Sequence, residues 1–176
     1  MARFYSIEAY PRQTSCVMTP PQPFVCRDRV RWADVDLVCI MRYSAFTRLL
    51  ELAEQELMRS AGLPYSAIFQ NPTIWMPRRH LSIEYFAPAR IDDELILVTY
   101  VSRLGTTSMT LNTDVWDHSH ETLVAAAAIV IVCVTVEGFE KQPLPERSRE
   151  LFAPFAMSVE QGRAWRPASL LNSGHD

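Results

Sequence analysis

Two carboxylates separated by one residue, Asp34-Val35-Asp36, stand between a β-like stretch and a helix-like one. An ionised carboxylate at such a junction can attack an electron-poor carbon or activate a water. Asp is equally a turn-former there, bonding nearby amides, and spacing alone favours that simpler role. Glu51 lies further on, along the polar stripe of the following helix, and could supply another carboxylate. Its simpler role is an ion pair with Arg48 or a hydrogen bond to Gln55 on a solvated face. Cys39 would need a neighbouring base to act as a nucleophile, and the sequence ties no histidine to it, so a buried thiol is expected. His118 and His120 could chelate a metal, but nothing is placed to complete a shell, and a solvated turn is expected instead.

Several elements must position these residues. Phe24 to Asp34 reads as a first strand with one polar side, carrying Val25, Val30 and Trp32 among charged residues. Over residues 44–61, Phe46, Leu49, Leu50, Ala53 and Leu57 recur at helical spacing, with Ser44 as N-cap and Gly62-Leu63-Pro64 as the stop. Arg48, Glu51, Gln55 and Arg59 form the opposite, polar stripe. Beyond a loop through Pro72, four β-like runs follow: Arg79–Phe86, Glu94–Val101, Thr106–Trp116 and Thr122–Val136. Their short connections favour antiparallel hairpins. Pro77, lacking an amide donor, predicts that the first of these runs begins at an edge or a bulge. The run Ala125 to Ala128 makes the last strand small on both faces, which predicts close approach by a neighbour and a central place in the sheet. A short helix from Leu144-Pro145-Glu146 to about Leu151 completes the core. Residues 1–23, with four prolines, read as an N-terminal extension, residues 24–155 as the folded domain and residues 156–176 as a loose C-terminal tail. The order fits an α+β protein in which an antiparallel sheet wraps one long helix.

A length of 176 residues suits one domain, and 48% apolar with 21% charged residues excludes a disordered chain. A net charge of -3 lacks the basic footprint of a nucleic-acid binder. Four cysteines without a C-x-x-C pair read as free thiols, and no apolar run near the start could form a signal-peptide core, so a cytoplasmic location is expected. The longest apolar stretch, Leu123 to Val134, falls short of the ~20 residues of a membrane-spanning helix, so no span is expected.

The run Arg31-Trp32-Ala33-Asp34-Val35-Asp36, followed by a helix carrying Phe46 and Glu51, resembles the hot-dog fold acyl-CoA thioesterases of the 4-hydroxybenzoyl-CoA thioesterase type. The resemblance continues through Ile83-Glu84-Tyr85, Pro88-Ala89-Arg90, Asp92-Asp93-Glu94-Leu95, Leu104-Gly105-Thr106-Thr107-Ser108 and Pro143-Leu144-Pro145-Glu146, and covers about residues 24–152. It implies a hot-dog fold and hydrolysis of an acyl thioester to a carboxylic acid and a free thiol, with no metal or redox cofactor. It places the catalytic carboxylate on Asp36. It also places amides for the thioester carbonyl near Tyr43 and Ser44, where a helix start would stabilise an oxyanion. Glu51 is a further catalytic candidate, facing the site across a dimer.

Asp34 and Arg42 are candidates to line the pocket, Asp34 with a stronger claim as a brace for the loop. Arg79, Arg103 and Lys141 are candidate contacts for the phosphates of CoA or of an acyl-carrier protein. Trp75, Tyr85 and Trp116 are candidate aromatic pocket residues that would admit an aryl or a long acyl group. The resemblance implies a homodimer or homotetramer with its site at the subunit interface. The chain departs from the family pattern at Cys39, Tyr43 and Ala45, where many members carry Gly, His and Asn. Two other readings are an acyl-carrier-protein thioesterase of fatty-acid or polyketide synthesis and a non-catalytic acyl-thioester-binding or assembly subunit.

Overall fold

The long helix forms where the apolar spacing predicted it. In the computed structural model, which describes residues 20–66 and 74–166, helix α1 runs from Phe46 to Ser60. Its buried stripe is Phe46, Leu49, Leu50, Ala53, Leu57 and Met58, with one charged member, Glu54. Gly62, at φ 78°, adopts the left-handed conformation that closes a helix cheaply only with glycine. Ser44 is not the cap: a 3-10 turn, Tyr43–Ala45, leads directly into α1, and the Ser44 carbonyl accepts from Thr47 Oγ1.

Five antiparallel strands wrap this helix: β1 (Phe24–Arg29), β2 (Arg78–Tyr85), β3 (Glu94–Leu104), β4 (Ser108–Asp117) and β5 (Leu123–Val132). Their order across the sheet is β1-β3-β4-β5-β2. The α+β architecture is therefore the expected one. Strand β2 lies at an edge with a register shift between Arg78 and His80, in keeping with Pro77 just before it. The alanine-rich strand β5 is interior but not central, since β4 holds the middle. Ala125 and Ala127 sit in the clusters that pack against α1, where small side chains let helix and sheet approach. Strand β1 stops at Arg29, short of the expected Asp34. The Asp34 carboxylate accepts from the Arg31 amide and bends Trp32–Asp34 into a 3-10 turn.

Helix α2 (Glu146–Phe152) buries Phe152 in the core beside Leu57 and Met109. The chain beyond it corrects the expectation of a loose tail. Helix α3 (Val159–Ala164) lies on the outer face of the sheet, capped by Ser158, whose hydroxyl accepts from the Gln161 amide. Met157 and Trp165 cover Ile96, Val98, Tyr100 and Trp116 there. Gly162 is required by this contact, because a Cβ at that position would stand 2.3 Å from the Tyr100 ring. The Tyr100 hydroxyl donates to buried Asp114 at 3.0 Å, and Arg163 lies 3.7 Å from the same carboxylate. The remaining expectations for residues 1–19 and 167–176, and for the loop over 67–73, fall outside the described residues.

The β4–β5 turn carries a second correction. His118 is exposed as expected, but His120 is buried between Trp116 and Trp165, with ring centroids at 4.7 and 6.0 Å. Neither ring nitrogen has a hydrogen-bond partner among the described residues. Burial first, and the nearby Arg166 second, hold the imidazole below its ordinary range, while Asp117 pulls weakly the other way. The unfolded chain takes up this proton as pH falls through about 6.5, and the folded chain does not. Stability from this residue is thus present above that pH and declines below it. The urea midpoint is expected to be lower at about pH 5.5 than at about pH 7.5, and His120→Phe to flatten the difference. The paired histidine control matters because buried Asp114, raised by burial, acts with the opposite sign at more acid pH.

Candidate active site

Asp36 opens a tight turn that is pinned at both ends. Its amide donates to the Ile40 carbonyl at 2.9 Å, the Cys39 amide returns to the Asp36 carbonyl at 3.0 Å, and Val35 bridges Met41. The Asp36 Oδ1 accepts from the amides of Val38 at 2.9 Å and Ile40 at 3.4 Å. Both bonds fall on one oxygen, so the turn orients the carboxylate, and Oδ2 accepts no hydrogen bond among the described residues. The Met41 amide donates to Ala89, and Ile40 bridges Arg90, which ties the turn to the segment after β2.

Cys39 occupies the left-handed position of this turn at φ 62°, the conformation that favours glycine. The turn points its thiol into solvent, correcting the expected burial. Cys39→Gly is expected to stabilise the fold by about 0.5–1 kcal/mol: relief of the left-handed strain exceeds the added freedom of the unfolded chain. The chemical-denaturation midpoint measures it.

Asp34 lies beneath the turn as a brace, away from the cleft. It is buried and takes Arg48 Nε at 3.0 Å and Nη2 at 2.5 Å on its two oxygens. Arg48 also reaches Asp28, which pairs with Arg31 at 3.4 Å. Burial opposes ionisation of Asp34, yet the Arg48 bonds and the Arg31 amide together hold its carboxyl below the usual carboxylate range. Arg48 therefore does not pair with Glu51, which stays exposed on the same helix face. The three charges lock β1, the Asp34 turn and α1 into one unit.

A cleft of about 700 Å³ opens where the 34–42 loop, the start of α1 and the end of β2 meet. Asp36, Arg42, Tyr43 and Ser44 line it together with Phe46 and Tyr85. The Tyr85 hydroxyl donates to the Tyr43 carbonyl at 3.2 Å, and its ring stands edge-on to Phe46 with centroids 5.0 Å apart. The amides of Tyr43 and Ser44 open the turn that feeds α1 and have no acceptor among the described residues. They lie at the positive end of the helix, where a developing negative charge is stabilised. Arg42 lines the cleft and also donates to the Ala33 carbonyl.

Within one chain this cleft does not include Glu51, Arg79, Arg103 or Lys141. Arg79 is exposed on β2, Arg103 near the end of β3 and Lys141 in the segment after β5. Of the aromatic candidates, Tyr85 is in the cleft, whereas Trp116 is buried on the outer face and Trp75 borders a different cavity. Sequence reasoning missed Glu54, buried at 2% exposure with Tyr65 and Arg78 bonded to it. The signal was present: position 54 is four residues from both Leu50 and Met58 on the apolar stripe.

Comparison with known proteins places this geometry in context. Residues 30–152 match the thioesterase-like superfamily. The acyl-CoA thioester hydrolase YbgC of Escherichia coli O157:H7 is 25% identical over 118 residues, 67% of this chain and 87% of that protein. The 1,4-dihydroxy-2-naphthoyl-CoA hydrolase of Nostoc punctiforme is 23% identical over 123 residues, covering 70% of this chain and 82% of that one. The solved structure of a 1,4-dihydroxy-2-naphthoyl-CoA thioesterase from Synechocystis superposes with a TM-score of 0.70 at 22% identity, over 74% of this chain and 96% of that chain. A gentisyl-coenzyme A thioesterase superposes with a TM-score of 0.65 at 21% identity, over 73% of this chain and 99% of that chain.

Proposed function

Because the chain belongs to the thioesterase-like superfamily, we propose that it is an acyl-CoA thioesterase, hydrolysing its substrate at the cleft that holds Asp36. The observation that carries this reading is that Asp36 lines the same cleft as Tyr43 and Ser44, which open the turn leading into α1. Water adds the elements of a hydroxyl and a proton across the acyl–sulfur bond, giving a carboxylic acid and a free thiol. The Asp36 carboxylate either takes the proton of the attacking water or attacks the carbonyl carbon itself to give a mixed anhydride that water then opens. In either route the carbonyl oxygen becomes negative and is met by the Tyr43 and Ser44 amides, whose helix-start position makes them donors without a reorganisation cost. The thiolate leaves as the carbonyl re-forms.

The working unit is a homodimer built on the β2 edge. This strand is exposed along nearly its whole length, and Leu81, Tyr85 and neighbouring Phe86 are 44%, 48% and 54% exposed. The other edge, β1, is instead occupied by Arg27, Asp28 and Arg29 with their ion pairs, which discourages pairing. A second copy added to β2 would cover those apolar groups and bring the exposed face of α1, with Glu51, towards its counterpart. Sedimentation is expected to give twice the 20.1 kDa chain mass, and Leu81→Lys to shift the protein towards the monomer.

The direct test is thiol release from a panel of acyl-CoAs, short and long, aliphatic and aromatic. Turnover of at least one member supports the reading. Release only from carrier-protein thioesters would move the substrate to that class, and release from neither would leave a binding subunit and sink the proposal.

A further inference from the structure

Tyr43 and Ser44 line the Asp36 cleft, and the two peptide units that carry their amides are held in different ways. The Tyr43 amide shares its unit with the Arg42 carbonyl, which accepts from the Ala45 amide at 2.9 Å. That bond lies within the main chain of the turn itself. The Ser44 amide shares its unit with the Tyr43 carbonyl, and here a donor comes from another element. It is the Tyr85 hydroxyl, at 3.2 Å, reaching over from the end of β2. A peptide unit is planar, so whatever fixes its carbonyl also fixes the direction in which its N–H points. A donor on the carbonyl oxygen also draws charge through the amide and leaves its hydrogen more positive. The Tyr85 bond therefore both aims the Ser44 amide and strengthens it as a donor.

Stability does not account for this bond. Tyr85 is half-exposed and water could serve either group, so a neutral hydrogen bond there adds little to folding. The strand end is nevertheless built to hold the phenol still. Its ring stands edge-on to Phe46, the buried first residue of α1. Tyr85 pairs with Ala125 on β5, and the next two amides, those of Phe86 and Ala87, donate to the Val124 carbonyl at 2.9 and 3.2 Å. Just beyond, the Ala89 carbonyl takes the Met41 amide at 2.7 Å. One segment thus braces both the start of α1 and the turn that carries Asp36.

We propose that Tyr85 is a positioning residue for thioester hydrolysis: its hydroxyl, through the Tyr43 carbonyl, holds the Ser44 amide where the carbonyl oxygen of the substrate becomes negative. This rests on the thioesterase reading of the cleft. The phenol touches no reacting atom and exchanges no proton. As the thioester carbon is attacked, charge moves onto its oxygen, and an amide already aligned adds no reorientation to the barrier. Complete loss of one such donor costs about a hundredfold to a thousandfold in kcat. Loosening the Ser44 amide while the Tyr43 amide stays fixed is expected to cost less, about tenfold.

Tyr85→Phe tests this, since it keeps the ring and its contact with Phe46 and removes only the hydroxyl. In the NMR spectrum of the full chain, the nitrogen resonance of the Ser44 amide is expected to move upfield, because less charge is drawn into the Tyr43 carbonyl, and that of the Tyr43 amide to move less. In the thiol-release assay, kcat for the preferred acyl-CoA is expected to fall about tenfold with KM unchanged to within about twofold. The urea midpoint is expected to stay in place. Replacing Tyr85 by a ring-fluorinated tyrosine, a stronger donor, is expected to move the Ser44 resonance downfield with kcat no lower than that of the wild type. This second variant decides the matter should Tyr85→Phe fail to fold. A Ser44 resonance unmoved in Tyr85→Phe, an unchanged kcat, or a loss confined to KM overturns the proposal, as does a fall in kcat matched by a lowered urea midpoint. If the Ser44 resonance moves as expected but the wild type hydrolyses no CoA ester, the hold of Tyr85 on the Ser44 amide stands and the thioesterase reading alone fails.

Discussion

Asp36→Asn is expected to lower thiol release from the preferred acyl-CoA by about a thousandfold, equivalent to about 4 kcal/mol on the barrier. The substitution is nearly isosteric. The asparagine carbonyl oxygen can still accept from the Val38 and Ile40 amides, so the turn keeps the bonds that shape it. What it loses is the negative charge, and with it the capacity to take a proton or to attack a carbonyl carbon. The measurement is kcat at saturating substrate beside a urea denaturation curve on the same protein. An unchanged midpoint with collapsed turnover assigns the effect to chemistry. Turnover that survived Asp36→Asn and failed in Glu51→Gln would move the reacting carboxylate to the helix.

Arg48→Met is expected to cost about 3 kcal/mol of folding stability, because it leaves buried Asp34 without its arginine partner beneath the Asp36 turn. Asp34 is only 5% exposed and draws both its side-chain cation contacts from Arg48, which reaches Asp28 as well. Methionine keeps most of the apolar stem, so lost packing is a small part of the effect. The double variant Asp34→Asn with Arg48→Met recovers part of the loss by removing the stranded charge, and the difference measures the coupling. The pH dependence has a definite sign. Burial opposes the charge on Asp34 and Asp28, but Arg48 holds both carboxyls below their ordinary value when folded. Their stabilising contribution is therefore present above about pH 4 and disappears as pH falls through the lowered folded values. In Arg48→Met this acid-side decline is expected to shrink. Denaturant midpoints measured across that range for both proteins check it.

Local pattern was enough for much of the frame. The spacing of Phe46, Leu49, Leu50, Ala53 and Leu57 specified α1, because burial of one helix face depends only on positions three and four apart. Alternation and short turns specified four antiparallel strands, and Pro77 marked the edge because a missing amide donor is a property of the residue itself. The Asp34-Val35-Asp36 run marked the loop before α1, and the cleft does form there. Tertiary structure decided how the charges were shared. Arg48 turned from Glu51 to Asp28 and Asp34, since partners brought close by the fold can be better placed than neighbours on one helix. Glu54 was drawn inward by Tyr65 and Arg78, and His120 was covered by Trp165 from a segment read as a loose tail. Arg79, Arg103 and Lys141 lie outside the cleft of their own chain for the same reason. Periodicity reports which face of an element is buried; the identity of what covers that face depends on segments far away in the chain, and no local pattern encodes it.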